Sequence, residues 1–292
     1  MPDQTGRTAL VTGANSGLGL HTAIGLARKG ARVLMACRSP ERGQEALGRV
    51  RLAAPGAEAE LVRLDLASLA SVRAAAEEVA GRVPHLDVLV NNAGVMAVPR
   101  TLTEDGFELQ LGTNHLGHYA LTGLLLPSLL AAPAPRVVSV SSAAHKMGRI
   151  DFDDLMGERS YGRWKAYGQS KLADLLFVGE LQRRAGDRLL AAAAHPGYAA
   201  TNLQTGQGNP LLELPMKLGN LLLAQSDAAG ALPQLYAATM PDVRGDDYWG
   251  PSLGELRGAP KRVGRSTAAQ DLVVAHRLWE VSQDLTGVAY DL

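Results

Sequence analysis

An apolar run, Thr8-Ala9-Leu10-Val11, leads into Thr12-Gly13-Ala14-Asn15-Ser16-Gly17-Leu18-Gly19, and a helical pattern from Leu20 to Lys29 follows at once. Strand, glycine-rich turn and helix in that order have a physical use. Glycines let backbone come close to a ligand, and the free N–H groups at a helix start attract an anion such as phosphate. The spacing is G-x-x-x-G-x-G rather than the commoner G-x-G-x-x-G. Three glycines this close also suit a flexible turn with no ligand, so the rest of the chain has to separate the two readings.

The chain repeats the same unit. Runs at Thr8–Thr12, Arg32–Cys37, Glu60–Asp65, Asp87–Asn91, Arg136–Ser141 and Leu189–His195 read as strands, several of them apolar throughout. Continuous apolar runs suit strands buried on both faces of a parallel sheet. Helical segments lie between them: one opening at Ser39-Pro40-Glu41, one over about 68–82, one over about 113–131 with Pro127 as an irregularity, and one over about 166–184. Repeated βα units predict an α/β, doubly wound parallel sheet with right-handed crossovers, and ligands beyond the carboxyl ends of its strands. Past His195, residues 201–226 read as a leucine-containing, partly helical flap. Ser226 then caps a helix towards Met240, residues 246–250 form a last strand, and Ser266 caps a final helix to about Leu285 with Gly287 just beyond. One domain over residues 1–292 is expected.

Composition narrows the function classes. Lys+Arg and Asp+Glu number 29 each, with no basic run, so nothing points to nucleic acid. One cysteine, Cys37, excludes an internal disulfide. Residues 120–134 are the longest apolar stretch, but Gly123, Pro127 and Pro133 interrupt it. With no apolar leader at the start, a cytoplasmic protein without membrane attachment is the expectation.

The polar residues at the predicted strand ends suit a dinucleotide. An acidic residue about 20 positions after the glycine turn would bind a ribose 2′-hydroxyl. That place reads Ala36-Cys37-Arg38-Ser39, and the Arg38 guanidinium suits a 2′-phosphate, with Arg42 one helical turn on. NADP(H) is therefore expected over NAD. Asp65, followed by Leu66, serves either as an acceptor for the adenine or as a helix cap. Asn91-Asn92-Ala93-Gly94 is a small-residue turn that permits close approach to a ribose.

Tyr167 and Lys171 stand four apart, on one face of a helix. An ammonium near a phenol favours phenolate, so such a tyrosine can give a proton to a carbonyl oxygen or take one from an alcohol. Tyr161 and Lys165 share the spacing, but an apolar helical pattern follows Tyr167 directly, so that pair is preferred. Ser142 and Ser141 compete to hydrogen-bond the substrate oxygen. Asn114 either holds a water that links the lysine to solvent or satisfies a local helix kink. His115 and His118 lack the partners of a metal site and read as helix surface or core. His145 is expected at the substrate mouth, and His195 at a strand end.

Taken together, the turn from Thr12 to Gly19, Asn91-Asn92-Ala93-Gly94, Asn114, Ser142, Tyr167-x-x-x-Lys171 and Pro196-Gly197 with Thr201 resemble, in order, the short-chain dehydrogenase/reductase family. Ala36-Cys37-Arg38-Ser39 and the long insert from Ala143 to Ala166 resemble its retinol-dehydrogenase-like branch. The resemblance implies a Rossmann-type fold, with Tyr167 as acid/base, Ser142 polarising the carbonyl, Asn114 holding a relay water and Lys171 binding the nicotinamide ribose. Cofactor contacts are expected at Thr12, Gly13, Asn15, Ser16, Gly17, Leu18 and Gly19, at Arg38, Asp65 and Leu66, and at Asn92, Ala93 and Gly94. Further contacts are expected at Tyr167, Lys171, Pro196, Gly197 and Thr201. The expected activity is hydride transfer between NADP(H) and a carbonyl or alcohol on an apolar, mid-sized small-molecule substrate. The alternatives are reduction of a polarised C=C bond and a non-catalytic NADP-binding regulator. The family resemblance is compatible with a homo-oligomer.

Overall fold

The computed structural model describes residues 1–197 and 225–292. Thr201 and residues 201–224 of the expected flap lie outside the described residues.

The apolar runs form the strands. β1 (Thr8–Thr12), β2 (Arg32–Cys37), β3 (Ala59–Arg63), β4 (Val88–Asn91), β5 (Arg136–Val140) and β6 (Leu190–Ala194) are parallel, and β7 (Tyr248–Leu253) continues the sheet parallel to β6. The strand order is β3-β2-β1-β4-β5-β6-β7-β8, where β8 (Arg257–Arg262) is antiparallel to β7. The sequence reading had no β8. Its residues are polar and include Gly258 and Pro260, as an edge strand tolerates and a central strand does not. Gly254 and Glu255 both take positive φ, 60° and 59°, and the Leu256 N–H closes the turn on the Leu253 carbonyl. That geometry is the hairpin turn whose twist matches the flanking strands. The third strand also ends earlier than expected, at Arg63, which leaves Asp65 in the loop beyond it.

Helices cover both faces. α1 (Gly17–Ala27), α2 (Pro40–Ala53) and a helix at Leu232–Thr239 lie over one face, where Val11, Val33, Met35 and Val90 point. α3 (Leu69–Arg82), a broken helical run from Leu109 to Leu130, α7 (Arg163–Ala185) and the C-terminal helix Leu272–Thr286 cover the other, packed on Leu10, Leu34, Leu89 and Val137. Neighbouring strand residues thus bury apolar side chains on opposite faces, which is why the strands read as unbroken apolar runs.

Two helix starts follow the expected caps: Ser39 accepts from the Arg42 N–H, with Pro40 at the first position of α2, and Ser226 accepts from Ala229. The cap of α3 is Ser68, which accepts from the Ser71 N–H. Two expectations need correction. Ser266 precedes only a short 3-10 turn, Thr267–Gln270, and the final helix is capped by Asp271, whose carboxylate accepts from the Val273 and Val274 N–H groups at 3.0 Å each. The fourth helix starts at α4 (Leu109–Leu111) and passes through a π turn, Gly112–Leu116, before α5 (Gly117–Leu124) and α6 (Leu126–Leu130). Helical periodicity in a sequence does not reveal that extra residue in a turn.

Few as they are, the aromatic residues are concentrated where the C-terminal helix docks. Trp279 stacks on Phe177 of α7 at 5.9 Å, and Tyr119 lies 5.2 Å from Trp279 and 4.9 Å from Tyr290. This packing fixes α7, the helix that carries Tyr167 and Lys171. The strand order reverses between β1 and β4, so a crevice opens beyond their carboxyl ends.

Candidate active site

A cleft of about 300 Å³ lies in that crevice. Its floor is the first turn, where Gly13, Asn15, Ser16, Gly17, Leu18 and Gly19 all line it. The glycines have distinct causes. Gly17 has φ +52°, and an added Cβ there would have nothing closer than the Asp227 Oδ2 at 3.8 Å. At Gly19 a Cβ would overlap the Gly13 carbonyl oxygen and lie 2.6 Å from the Asn92 amide nitrogen, so the last glycine lets the turn close against β4. Ser16 makes no side-chain cap to α1, so among the described residues the first N–H groups of this 11-residue helix face the cleft without a side-chain acceptor.

Thr12 is expected at the cofactor but does not line the cleft. It is fully buried and holds the turn to β4. Its Oγ1 accepts from the Asn92 and Ala93 N–H groups at 2.9 and 3.0 Å. His118 Nδ1 lies 2.8 Å from the Asn114 carbonyl oxygen and must donate to it, so Nε2 is the acceptor for the Thr12 hydroxyl at 2.9 Å. Burial, with the Lys171 charge adding, pulls His118 down to about 4 and keeps it neutral for this part. His115 is also core, bonded to Ser282 at 2.8 Å and pulled down to about 3 by burial. Among the described residues no cluster of metal-ligating side chains exists.

At the end of β2, Arg38 and Arg42 are exposed and line the cleft, and the residues between them add only Glu41 as an acid, whose carboxylate is held by the Ser39 hydroxyl at 2.8 Å. Asp65 and Leu66 line the opposite wall. Asp65 Oδ1 accepts from the Ala67 N–H at 3.0 Å, so this residue shapes the loop as well as facing the cleft. Asn92, Ala93 and Gly94 form the back, with Asn92 Nδ2 donating to the Thr12 carbonyl at 2.8 Å. The sequence reading missed Val95 and Thr113, which also line the cleft. Uncapped helix N–H groups, a guanidinium pair and a small-residue back wall fit a dinucleotide carrying phosphates.

Gly94 joins the cleft to the catalytic candidates. A Cβ there would sit 3.0 Å from Asn114 Oδ1 and 3.8 Å from Lys171 Nζ. Lys171 is buried; its ammonium donates to the Val140 carbonyl and to Asp174 Oδ2, both at 2.9 Å, and lies 5.9 Å from the centre of the Tyr167 ring. Asn114 sits in the π turn, donates to the Val95 carbonyl and to Ser170 Oγ at 2.9 Å each, and accepts from the Val95 N–H at 2.8 Å. Its amide clasps the loop after β4 to α7 rather than satisfying a backbone group of its own helix.

The two serines also separate. Ser141 is buried and donates to the Lys171 carbonyl at 2.7 Å, whereas Ser142 is partly exposed and, among the described residues, its hydroxyl only accepts from the Ala144 N–H at 3.2 Å. His145 does not line a mouth. It is fully buried, with Nδ1 donating to the Ser142 carbonyl at 2.7 Å and Nε2 accepting from the Ser266 N–H at 3.2 Å, and it steadies Ser142. Tyr161 lies outside α7, accepts from Gln110 at 2.9 Å and has Val98 O and Glu108 Oε1 within 2.9 and 3.0 Å. Burial, with Glu108 adding, pushes its phenol up to about 12. His195 is a buried strand-end residue that accepts from the Gly197 N–H at 3.2 Å. Pro196 accepts from the Gln225 amide, and Gly197, at φ +69°, packs on the β7–β8 hairpin, where a Cβ would lie 2.6 Å from Pro251. Asp174 was missed altogether; an acid three residues after a lysine in an apolar helix was the available signal.

The chain as a whole is similar to known proteins. The short chain dehydrogenase family profile matches residues 7–210. Retinol dehydrogenase 14 of Mus musculus is 44% identical over 295 residues, spanning 97% of this chain and 86% of that protein. Polyprenol dehydrogenase of the same species is 42% identical over 296 residues, spanning 98% and 86%. A crystal structure of an uncharacterized protein from Mycobacterium paratuberculosis superposes with a TM-score of 0.84 at 46% identity, covering 100% of this chain and 97% of that one. Among the described residues no helix is long and apolar enough to cross a membrane. The chain belongs to the short-chain dehydrogenase family, in its retinol-dehydrogenase-like branch, and is an oxidoreductase acting on an alcohol or carbonyl group.

Proposed function

We propose that the protein transfers hydride between NADP(H) and the carbonyl or alcohol carbon of an apolar substrate, with Tyr167 as the acid/base. The observation that carries this is the Lys171 ammonium, held beside Gly94 at one end of the cleft and one helical turn from Tyr167. Arg38 and Arg42, which line the same cleft, support NADP(H) over NAD(H), because a guanidinium pairs with a 2′-phosphate.

When bound, the nicotinamide supplies or receives the hydride. In reduction, the Tyr167 hydroxyl gives its proton to the carbonyl oxygen as the hydride reaches the carbon, and the product is an alcohol. Ser142 donates a hydrogen bond to the same oxygen and stabilises the charge that develops there. Lys171 holds the ribose through the N–H that Val140 and Asp174 leave free. Asn114 keeps Val95 and Ser170 in place around it.

Two observations support an apolar substrate. Trp164 and Met147 are exposed on either side of the Tyr167 turn, with Trp164 6.0 Å from the Tyr167 ring and Met147 against Gly168. The names of the two curated relatives describe lipophilic alcohols. A panel of alcohols and aldehydes of increasing chain length, run with NADPH and NADH, tests the proposal. Turnover should rise with apolar length and favour the phosphorylated cofactor. Reaction of small polar substrates alone would contradict it.

A further inference from the structure

Asp174 is an acid in an otherwise apolar turn of α7. Its carboxylate and the Lys171 ammonium are 6% and 7% exposed and lie 2.9 Å apart. Replacing both members of a buried ion pair by apolar residues is often neutral, but removing the carboxylate alone would leave the Lys171 ammonium buried and uncompensated. The geometry gives Asp174 a second role beside that one. An ammonium has three N–H donors. Val140 O and Asp174 Oδ2 take two, which fixes the direction of the third and the place of the charge relative to Tyr167.

We infer that Asp174 is a positioning residue that holds the Lys171 ammonium against β5, offsets its charge, and so sets the pH at which Tyr167 exchanges its proton. The inference rests on the reading of Tyr167 and Lys171 given above. The ammonium favours the phenolate, and the carboxylate beside it opposes that effect. Burial pushes the Asp174 carboxyl up, while the Lys171 ammonium 2.9 Å away acts against the rise and favours the charged form. Burial pulls the Lys171 ammonium down, but Asp174 and then Tyr167 outweigh it and hold the group above its ordinary range.

Among the described residues, the other titratable groups that face Lys171 and Tyr167 are neutral. His118, from α5, is pulled down to about 4 by burial, and Tyr248, from β7, has its phenol raised far above the ordinary range by burial. Asn114 and Ser170 carry no charge. Among the described residues, Asp174 is thus the carboxylate that acts on Lys171.

The experiment follows tyrosinate formation by ultraviolet difference absorbance across pH. The wild-type curve minus that of Tyr167→Phe isolates the Tyr167 step. Asp174→Asn keeps the volume and an oxygen acceptor but removes the charge. It should move that step to lower pH by about one unit, as expected on removal of a unit charge that acts on Tyr167 through the neighbouring ammonium. Asp174→Ala should move it in the same direction, and Asp174→Glu should leave it near the wild-type position. The rising limb of alcohol oxidation should shift with the absorbance. A step that stays put, or moves to higher pH, in both Asn and Ala variants overturns the inference. The absorbance needs no substrate. A wild type that turns over no alcohol while Asp174→Asn still shifts the step would contradict the proposed function and leave this inference standing.

Discussion

Tyr167→Phe is expected to lower turnover about a thousandfold while NADPH still binds within a few-fold of wild type. The substitution removes one oxygen from a buried ring and leaves the Trp164 contact and the Lys171 bonds to Val140 and Asp174 in place. Only the proton path is lost, so the effect falls on kcat. Tyr161→Phe is the paired control, because it has the same sequence spacing to a lysine. Its hydroxyl is bonded among Gln110, Val98 and Glu108, away from Lys171, so its loss should reduce stability and leave kcat nearly unchanged. Stopped-flow turnover with separate fluorescence titration of NADPH checks both. Equal losses of kcat in the two variants would remove Tyr167 from its role.

Arg38→Ala is expected to abolish the preference for NADPH. In the wild type NADPH should bind at least about tenfold tighter than NADH, since a charge-assisted, two-pronged pairing with a 2′-phosphate is worth about 1.5–3 kcal/mol. Arg38 is exposed, so screening trims that figure and the preference should narrow as salt rises. In the variant NADPH should weaken to the level of NADH, and NADH should scarcely change. Isothermal titration at two ionic strengths checks the pair. If Arg38→Ala leaves a tenfold preference, Arg42 carries the phosphate, and the variant Arg42→Ala should then remove it.

The main lines of the fold were legible because parallel strands buried on both faces leave near-continuous apolar runs, and Ser39-Pro40 and Ser226 mark helix starts chemically. β8 was not legible, because a solvent-facing edge strand made of Arg257-Gly258-Ala259-Pro260-Lys261-Arg262 has no apolar signal. The π turn was invisible for a different reason: its consequence, the Asn114 clasp, depends on Val95 and Ser170, which are far away in sequence. The cleft residues were found because their chemistry is local to strand ends. Residues acting through partners on other elements were misplaced or missed. Thr12 was expected at the cofactor but fastens β4 to the first turn, His145 was expected at the mouth but steadies Ser142, and Asp174 was overlooked although it touches Lys171.

The central claim is that hydride moves between the cofactor bound in this cleft and a carbonyl carbon beside Tyr167. The measurement that tests it most directly uses NADPH deuterated at C4 of the nicotinamide, prepared as each of the two stereoisomers, with a long-chain unsaturated aldehyde. Mass spectrometry then locates the label in the product. One stereoisomer should give the alcohol with deuterium on the carbinol carbon, and the label should disappear with Tyr167→Phe on the same timescale. Deuterium on an alkene-derived carbon would show C=C reduction, and NADPH binding without labelled product from any aldehyde would show a regulator. Either result contradicts the account.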